Sequence, residues 1–189
     1  MVIERQQMQH NTAIMSRMDT LSPETHFTIA GKVVTIRPIR TTDAGIETEF
    51  IHRLSAESKH FRFFGGVNEM SAAEISRLCD VDGRRSMAFV ATTRNKDRET
   101  EIGVSRCAAD SRPDAREFAV AVADDWQRRG LGKLLMKQLI QFARHTGVKR
   151  MYSTVLWDNA GMRALARSLG MSESPDPGNP QQMIYSLRL

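Results

Sequence analysis

A mixed, mostly antiparallel central sheet with helices on both faces, an α/β fold of the α+β kind, is what the sequence predicts, on three observations. Three β-rich segments, "SMAFVATT", "EIGVSRCAA" and "EFAVAV", follow one another, the first two joined by the polar turn "RNKDRE", as in an antiparallel meander. After them the order changes to helix, strand, helix, strand, which places helices against the sheet. The 189 residues, 41% hydrophobic and 26% charged, are enough for one domain with a sizeable core and too close to the globular average for disorder or a fibrous chain.

Each element has its own signal. Residues 1–25 show no sustained periodicity and carry methionines at 1, 8, 15 and 18, so a flexible N-terminal extension is expected there and a single domain over 26–189. "GKVVTIRPI" reads as a strand from its β-branched content, and "TTDAGIETEFIHRL" as a helix capped by Thr42 or Asp43. "SAESKHFRFFGG" is a short helical or turn element ending at the Gly65-Gly66 breaker. Ser71 and Glu74 form a capping box that opens the helix "SAAEISRLC", and the three meander strands follow. Leu131, Leu134, Leu135, Leu139, Phe142 and Ala143 then recur at three- and four-residue spacing, an amphipathic helix closed by Gly147. "RMYSTVL" is a buried type of strand, "NAGMRALARSLG" a helix closed by Gly170, and "QQMIYSLRL" a last strand after the turn-rich "SPDPGNP".

Composition narrows the function classes. No apolar run approaches the roughly 18 residues of a membrane span, and the N-terminus lacks the apolar core of a signal peptide, so a cytoplasmic protein is expected. Cys79 and Cys107 form no CxxC and have no neighbouring histidine pair, so they read as buried free thiols with neither disulfide nor metal site. His52, His60 and His145 likewise lack metal-ligand spacing. The net charge of +5 is concentrated: between Val120 and Arg150 seven basic residues face two acidic ones, the whole surplus of the chain. Such a patch suits a small polyanion as well as DNA. The phenylalanines of "KHFRFF" read as core with Arg62 bordering a groove, so no nucleic-acid partner is expected.

The basic patch centres on "QRRGLG", Gln127 to Gly132, between the strand "EFAVAV" and the amphipathic helix. A helix N-terminus leaves about four backbone N–H groups unpartnered and carries roughly half a positive charge, so an anion there satisfies both. Gly130 and Gly132 let a diphosphate approach the main chain, and Gln127, Arg128 and Arg129 can close around its oxygens. An ordinary glycine-containing helix start is the plainer reading of a lone GxG. The P-loop pattern GxxxxGKS/T and the dinucleotide pattern GxGxxG are both absent.

These residues resemble a known family. "QRRGLG" is similar to the Q/R-x-x-G-x-G/A signature of the GNAT superfamily of N-acetyltransferases, and "NAGMRALARSLGM", Asn159 to Met171, to that family's second cofactor helix. "TIRPIRTTD" resembles its first strand and helix entry, and the likeness runs from about Phe27 to Leu189. Within the superfamily, "RLSAESKHFRFFGG" and "EFAVAVADDWQRRGLGKLLMKQLIQFAR" look like the acetyltransferase domain of bacterial Pat-type protein lysine acetyltransferases. The resemblance implies acetyl-CoA as co-substrate, with no metal. It implies cofactor contacts from Gln127, Arg128, Arg129, Gly130, Leu131, Gly132 and Lys133, from Asn159 and Met162, and from the main chain of Val120 and Val122. Asn159 reads equally as a helix cap. Pat-type domains are often fused to regulatory regions for which this length leaves no room, so a stand-alone catalytic module is expected.

The same resemblance implies a chemistry. Freeing the lone pair of a lysine amine, reference pKa about 10.4, costs roughly 4.6 kcal/mol at neutral pH, so a positioned base is useful. Glu117 stands where Pat-type enzymes carry a catalytic glutamate; burial beside apolar neighbours would favour its protonation. Without the resemblance it reads as an exposed strand carboxylate paired with Arg106 or Arg116. Many superfamily members carry a tyrosine where Ala166 follows Leu165, so no general acid is evident for the leaving thiolate. The resulting expectation is transfer of an acetyl group to a lysine amine of a protein, such as an acyl-CoA synthetase, by direct attack on the thioester. Two alternatives stand beside it: acetylation of a small amine (a polyamine, amino acid or antibiotic) and a non-catalytic acyl-CoA sensor. Oligomeric state is left open.

Overall fold

The computed structural model describes residues 24–65, 69–96, 98–112 and 114–189. The expected extension, residues 1–25, lies almost wholly outside these, as does Gly66 of the expected breaker. The chain forms strands β1 (Thr25–Ile29) and β2 (Lys32–Pro38) and helices α1 (Ala44–Arg53), α2 (Ala56–Phe63) and α3 (Ala72–Cys79). The meander follows as β3 (Ser86–Asn95), β4 (Arg98–Ala109) and β5 (Ala115–Val122), then α4 (Leu131–His145), β6 (Arg150–Leu156), α5 (Ala160–Ser168), β7 (Ser172–Pro175) and β8 (Gln182–Arg188). They make one eight-stranded sheet in the order β1-β2-β3-β4-β5-β6-β8-β7, in which only β5 and β6 pair in parallel. The mixed, mostly antiparallel sheet is the one expected.

Adjacent residues of a strand point to opposite faces, and β4 shows what covers each. Ser105 donates its hydroxyl to the Leu135 carbonyl of α4 at 3.1 Å, while Arg106 reaches the Glu47 carboxylate of α1 at 2.6 Å. The two helices therefore lie on opposite faces. Leu131, Leu135, Met136, Leu139, Ile140, Phe142 and Ala143 of α4 are buried. This is the expected stripe with Met136 and Ile140 added and Leu134 only half-buried. No described helix is long and apolar enough to cross a membrane.

The two edge strands were not legible in the sequence. In β1 only Ile29 is buried, and β7, "SESP", is exposed throughout, so neither carries an apolar run; pairing with β2 and β8 creates them. The first two residues of the expected turn "SPDPGNP" accordingly belong to β7. The Ser71–Glu74 capping box is present, and both cysteines are buried free thiols. Asp43 stands at the N-cap of α1 without a side-chain cap bond. Its carboxylate instead accepts from the Arg37 guanidinium at 2.7 and 3.0 Å and from the Arg40 backbone N–H at 2.7 Å.

Candidate active site where strands β5 and β6 part

Strands β5 and β6 pair only from Ala115 to Glu117, opposite Arg150 to Tyr152. Beyond Glu117 they separate: Phe118–Val122 stays paired with β4, and Ser153–Leu156 with β8. A V-shaped opening results, with an unpaired edge of β5 on one side. Glu117 stands at its apex. It pairs in register with Ala108, two residues from Arg106 on the same face of β4, so it shares the face covered by α1 and α2.

At the wide end of the opening the chain turns into α4. Ala123 leads into a 3₁₀ turn, Asp124–Trp126, and then into Gln127 to Gly130. Arg128 takes φ 57° and Gly130 φ 86°, both in the left-handed region. For Gly130, the N-cap of α4, this conformation is the reason for a glycine; a Cβ there would meet open space. Gly132 differs. A Cβ on it would lie 3.4 Å from Leu165 Cδ2 of α5 and 3.7 Å from Val122 Cγ2 of β5, ordinary contact distances, so α4 passes close to both at this residue. The backbone N–H groups of Arg128, Arg129, Gly130, Leu131 and Gly132 donate to no other described residue. Arg128, Arg129 and Gly130 are exposed. Five successive donors at a positive helix end are an arrangement able to receive an anion, and they make this turn the candidate seat.

The arginines are arranged differently from one another. Trp126 is buried, and its ring lies between the Lys32 ammonium at 5.7 Å and the Arg129 guanidinium at 5.8 Å. Arg129 is thus steadied on an aromatic face. Gln127 departs from the expectation that its side chain closes around phosphate. Its Nε2 donates to Ser58 Oγ at 3.0 Å and to the Val122 carbonyl at 3.1 Å, facing away from the seat. Asn159 caps α5, its Oδ1 accepting from the Met162 backbone N–H at 2.9 Å. Met162 and Leu165 pack on the core from half-buried positions. Lys133 is half-buried in the first turn of α4.

Glu117 is exposed and, among the described residues, forms no ion pair, so neither the burial considered for it nor the pairing with Arg106 or Arg116 is present. Its electrostatic neighbours are Arg62 of α2 and Tyr152 of β6. Burial, and then the like charge of Arg106, push the Arg62 guanidinium down to about 10, against the pull of Glu47 and Glu117. No local pattern singles out Tyr152, which stands beside Glu117 in register. Its hydroxyl donates to Asp110 Oδ2 at 2.6 Å, and its ring lies 5.4 Å from the guanidinium of Arg112 and of Arg150. Tyr185 is fully buried, as is Ala166 where a tyrosine is common in the resembled family. Burial pushes the thiols of Cys79 and Cys107 up to about 12, which leaves them unsuited to act as nucleophiles.

Comparison with known proteins meets this geometry directly. Residues 56–171, which include α2, Glu117, the anion seat and α5, match the Acetyltransferase (GNAT) family. The chain belongs to that family. Acetyltransferase PA5475 of Pseudomonas aeruginosa is 42% identical over 159 residues, covering 84% of this chain and 86% of that protein. Acetyltransferase Pat of Mycolicibacterium smegmatis is 32% identical over 117 residues, covering 58% of this chain but only 33% of the longer relative. The [Ribosomal protein bS18]-alanine N-acetyltransferase of Salmonella typhimurium is 36% identical over 78 residues, covering 41% of this chain and 51% of that one. Among solved structures, the GNAT domain of S. lividans PAT superposes with a TM-score of 0.78 at 24% identity, covering 88% of this chain and 97% of that domain. This GNAT protein is therefore an acyltransferase of a family whose acetyl donor is acetyl-CoA, and its mixed sheet is the family's fold.

Proposed function

We propose that this protein is an acetyl-CoA-dependent N-acetyltransferase acting on a lysine amine of a protein. The observation that carries the reading is the row of five unpartnered N–H groups at Arg128–Gly132, lying across the β5–β6 opening from Glu117. The donor's diphosphate sits on that row, steadied by Arg128 and Arg129, and its acyl arm runs along the unpaired edge of β5 past Val120 and Val122. Gly130, Leu131 and Gly132 contribute main chain, while Lys133, Asn159 and Met162 border the donor.

Glu117 takes the proton of the acceptor ammonium, directly or through a water, which its exposure permits. The freed lone pair attacks the thioester carbonyl, the carbon–sulfur bond breaks, and the products are an amide and the thiol of coenzyme A. The attacking nitrogen gives its second proton to water and the departing thiolate takes one from water: Ala166 offers none, Tyr152 is engaged with Asp110, and Tyr185 is buried. A thiol of pKa about 8.5 tolerates departure as its anion. Attack is direct, because neither cysteine is an accessible nucleophile.

A protein acceptor is favoured by the likeness to Acetyltransferase Pat and by the exposed setting of Glu117, with acyl-CoA synthetases as the first candidates. The likeness to the bS18-alanine enzyme favours a second reading, an N-terminal α-amine. The test is release of coenzyme A thiol against acyl-CoA synthetases, N-terminal peptides and small amines. A folded protein should react far faster than free amines, and the product site should map to lysine. Glu117→Gln should lower kcat by about 10²- to 10⁴-fold with little change in donor affinity. Turnover of the variant at the parental rate would remove Glu117 from the mechanism.

A further inference from the structure

Helix α2 has no fully buried residue, and its eight residues are too few to be stable alone. Phe61 and Phe63, expected in the core, are only half-buried. Its N-terminus is held instead by side chains from the loop that precedes the anion seat. Asp124 Oδ2 accepts from the Ser55 backbone N–H at 2.9 Å, and Asp124 Oδ1 accepts from the hydroxyls of Ser55 and Ser58, each at 2.7 Å. Ser55 Oγ in turn caps α2 by accepting from the Ser58 N–H at 3.1 Å. Gln127 Nε2 closes the circuit, donating to Ser58 Oγ at 3.0 Å and to the Val122 carbonyl at 3.1 Å.

Both serine hydroxyls act as donor and acceptor at once, so the circuit has one sense, with Gln127 donating at one end and Asp124 accepting at the other. Partial burial opposes ionisation of Asp124, yet the bonds from Ser55 and Ser58 hold its carboxyl below its ordinary value; a charged acceptor at a helix N-terminus also complements the dipole. The other end of α2 carries Arg62, the neighbour of Glu117. One short helix thus spans from the donor's loop to the reacting end of the opening.

We infer that Asp124 and Gln127 are positioning residues that pass occupancy of the anion seat to α2, so that the bound acyl donor fixes the acceptor-side wall, Arg62 included, beside Glu117. The inference rests on the anion seat proposed above. Gln127 directly precedes the five N–H groups, so a ligand that immobilises them immobilises Gln127, and through Ser58 and Asp124 it stiffens the first turn of α2. Acceptor affinity then rises with donor occupancy, by a factor in the usual range of about 5–150 for coupled sites.

Hydrogen–deuterium exchange on the full chain with and without coenzyme A tests this. In the parent, coenzyme A should slow exchange both at the start of α4, residues 131–136, and across α2, residues 56–63. In Asp124→Ala the α4 response should remain and the α2 response should fall at least fivefold. Ser58→Ala, which removes one member of the circuit and spares the loop, should give the same pattern more weakly and serves if the first variant folds poorly. In kinetics, Asp124→Asn should raise KM for the acceptor at least fivefold while kcat and the dissociation constant of coenzyme A stay within about threefold. Protection of α4 without α2 in the parent, or an α2 response that survives in both variants, overturns the inference. Protection of neither segment overturns the anion seat itself, and the inference with it.

Discussion

The five backbone N–H groups of Arg128–Gly132 and three carboxyl oxygens, Glu47 Oε2 and both of Glu101, share one property: among the described residues no acceptor faces the N–H groups, and no donor other than a carboxyl proton is available to the oxygens. Their surroundings are opposite. The first set begins on exposed residues at a positive helix end, whereas Glu47 and Glu101 are 1% and 0% exposed beneath α1. An open row of donors waits for an anion, and water serves it meanwhile. A buried carboxylate has no such recourse and must change its charge. Two carboxylates cannot hydrogen-bond without a proton between them. Burial, then the negative charge of Glu47 and the bond between the two groups, holds the Glu101 carboxyl well above its ordinary range. Among the described residues Arg106 supplies the cation paired with them, 2.6 Å from Glu47 Oε1. Unsatisfied polar atoms therefore have different outcomes in the two places: the exposed row stays open to an anion or water, and the buried pair favours the protonated form of Glu101.

The largest effect should come from removing the cation of the buried set. Arg106→Leu leaves Glu47 ionised without its partner and should cost about 3–5 kcal/mol of stability, read from urea unfolding. A loss under about 1 kcal/mol would mean that Glu47 reaches solvent, and the contrast would disappear. In the open set the two glycines should separate. Gly130→Ala forces a left-handed alanine at a cost of about 1–2 kcal/mol and should weaken coenzyme A binding roughly tenfold. Gly132→Ala places its Cβ in ordinary contact with Leu165 and Val122 and should stay within about threefold of the parent, both measured by calorimetric titration.

The subtlest effect is on pH dependence. Because the folded-state value of Glu101 is raised, its stabilising contribution is complete below the unfolded value, near 4.3, and is lost as pH rises through the folded value. Glu101→Gln keeps the shape and removes the titration. Parent and variant unfolding curves between pH 5 and 9 should therefore diverge, the parent losing stability with rising pH relative to the variant. Parallel curves would show that no proton is shared.

Particular residues show why some of this was legible from the sequence and some was not. The seat at Gly130 was legible because unpaired N–H groups, a left-handed N-cap and a following apolar stripe are local properties of a dozen consecutive residues. Asn159 was legible as a cap for the same reason. Glu101 was not. Ile102 is the extra residue of a β-bulge between the pairs Ala91–Gly103 and Thr92–Glu101, and that bulge places Glu101 beside Glu47 and Arg106 where strict alternation would have sent it to the α4 face. Gln127 was assigned to phosphate because its neighbours are basic, yet its partner Ser58 lies 69 residues away.

The sequence by itself determined the family, the order of the main elements and the run of residues that makes the candidate seat. Periodicity, helix ends and glycine placement act over one or two turns of chain, and they are written in consecutive residues. Tertiary structure alone decided that Glu117 is exposed, that Glu101 is buried beside Glu47, that β1 and β7 are strands, and that Asp124 fastens α2. Those outcomes depend on solvent access and on partners distant in the chain, which local order along a sequence does not encode.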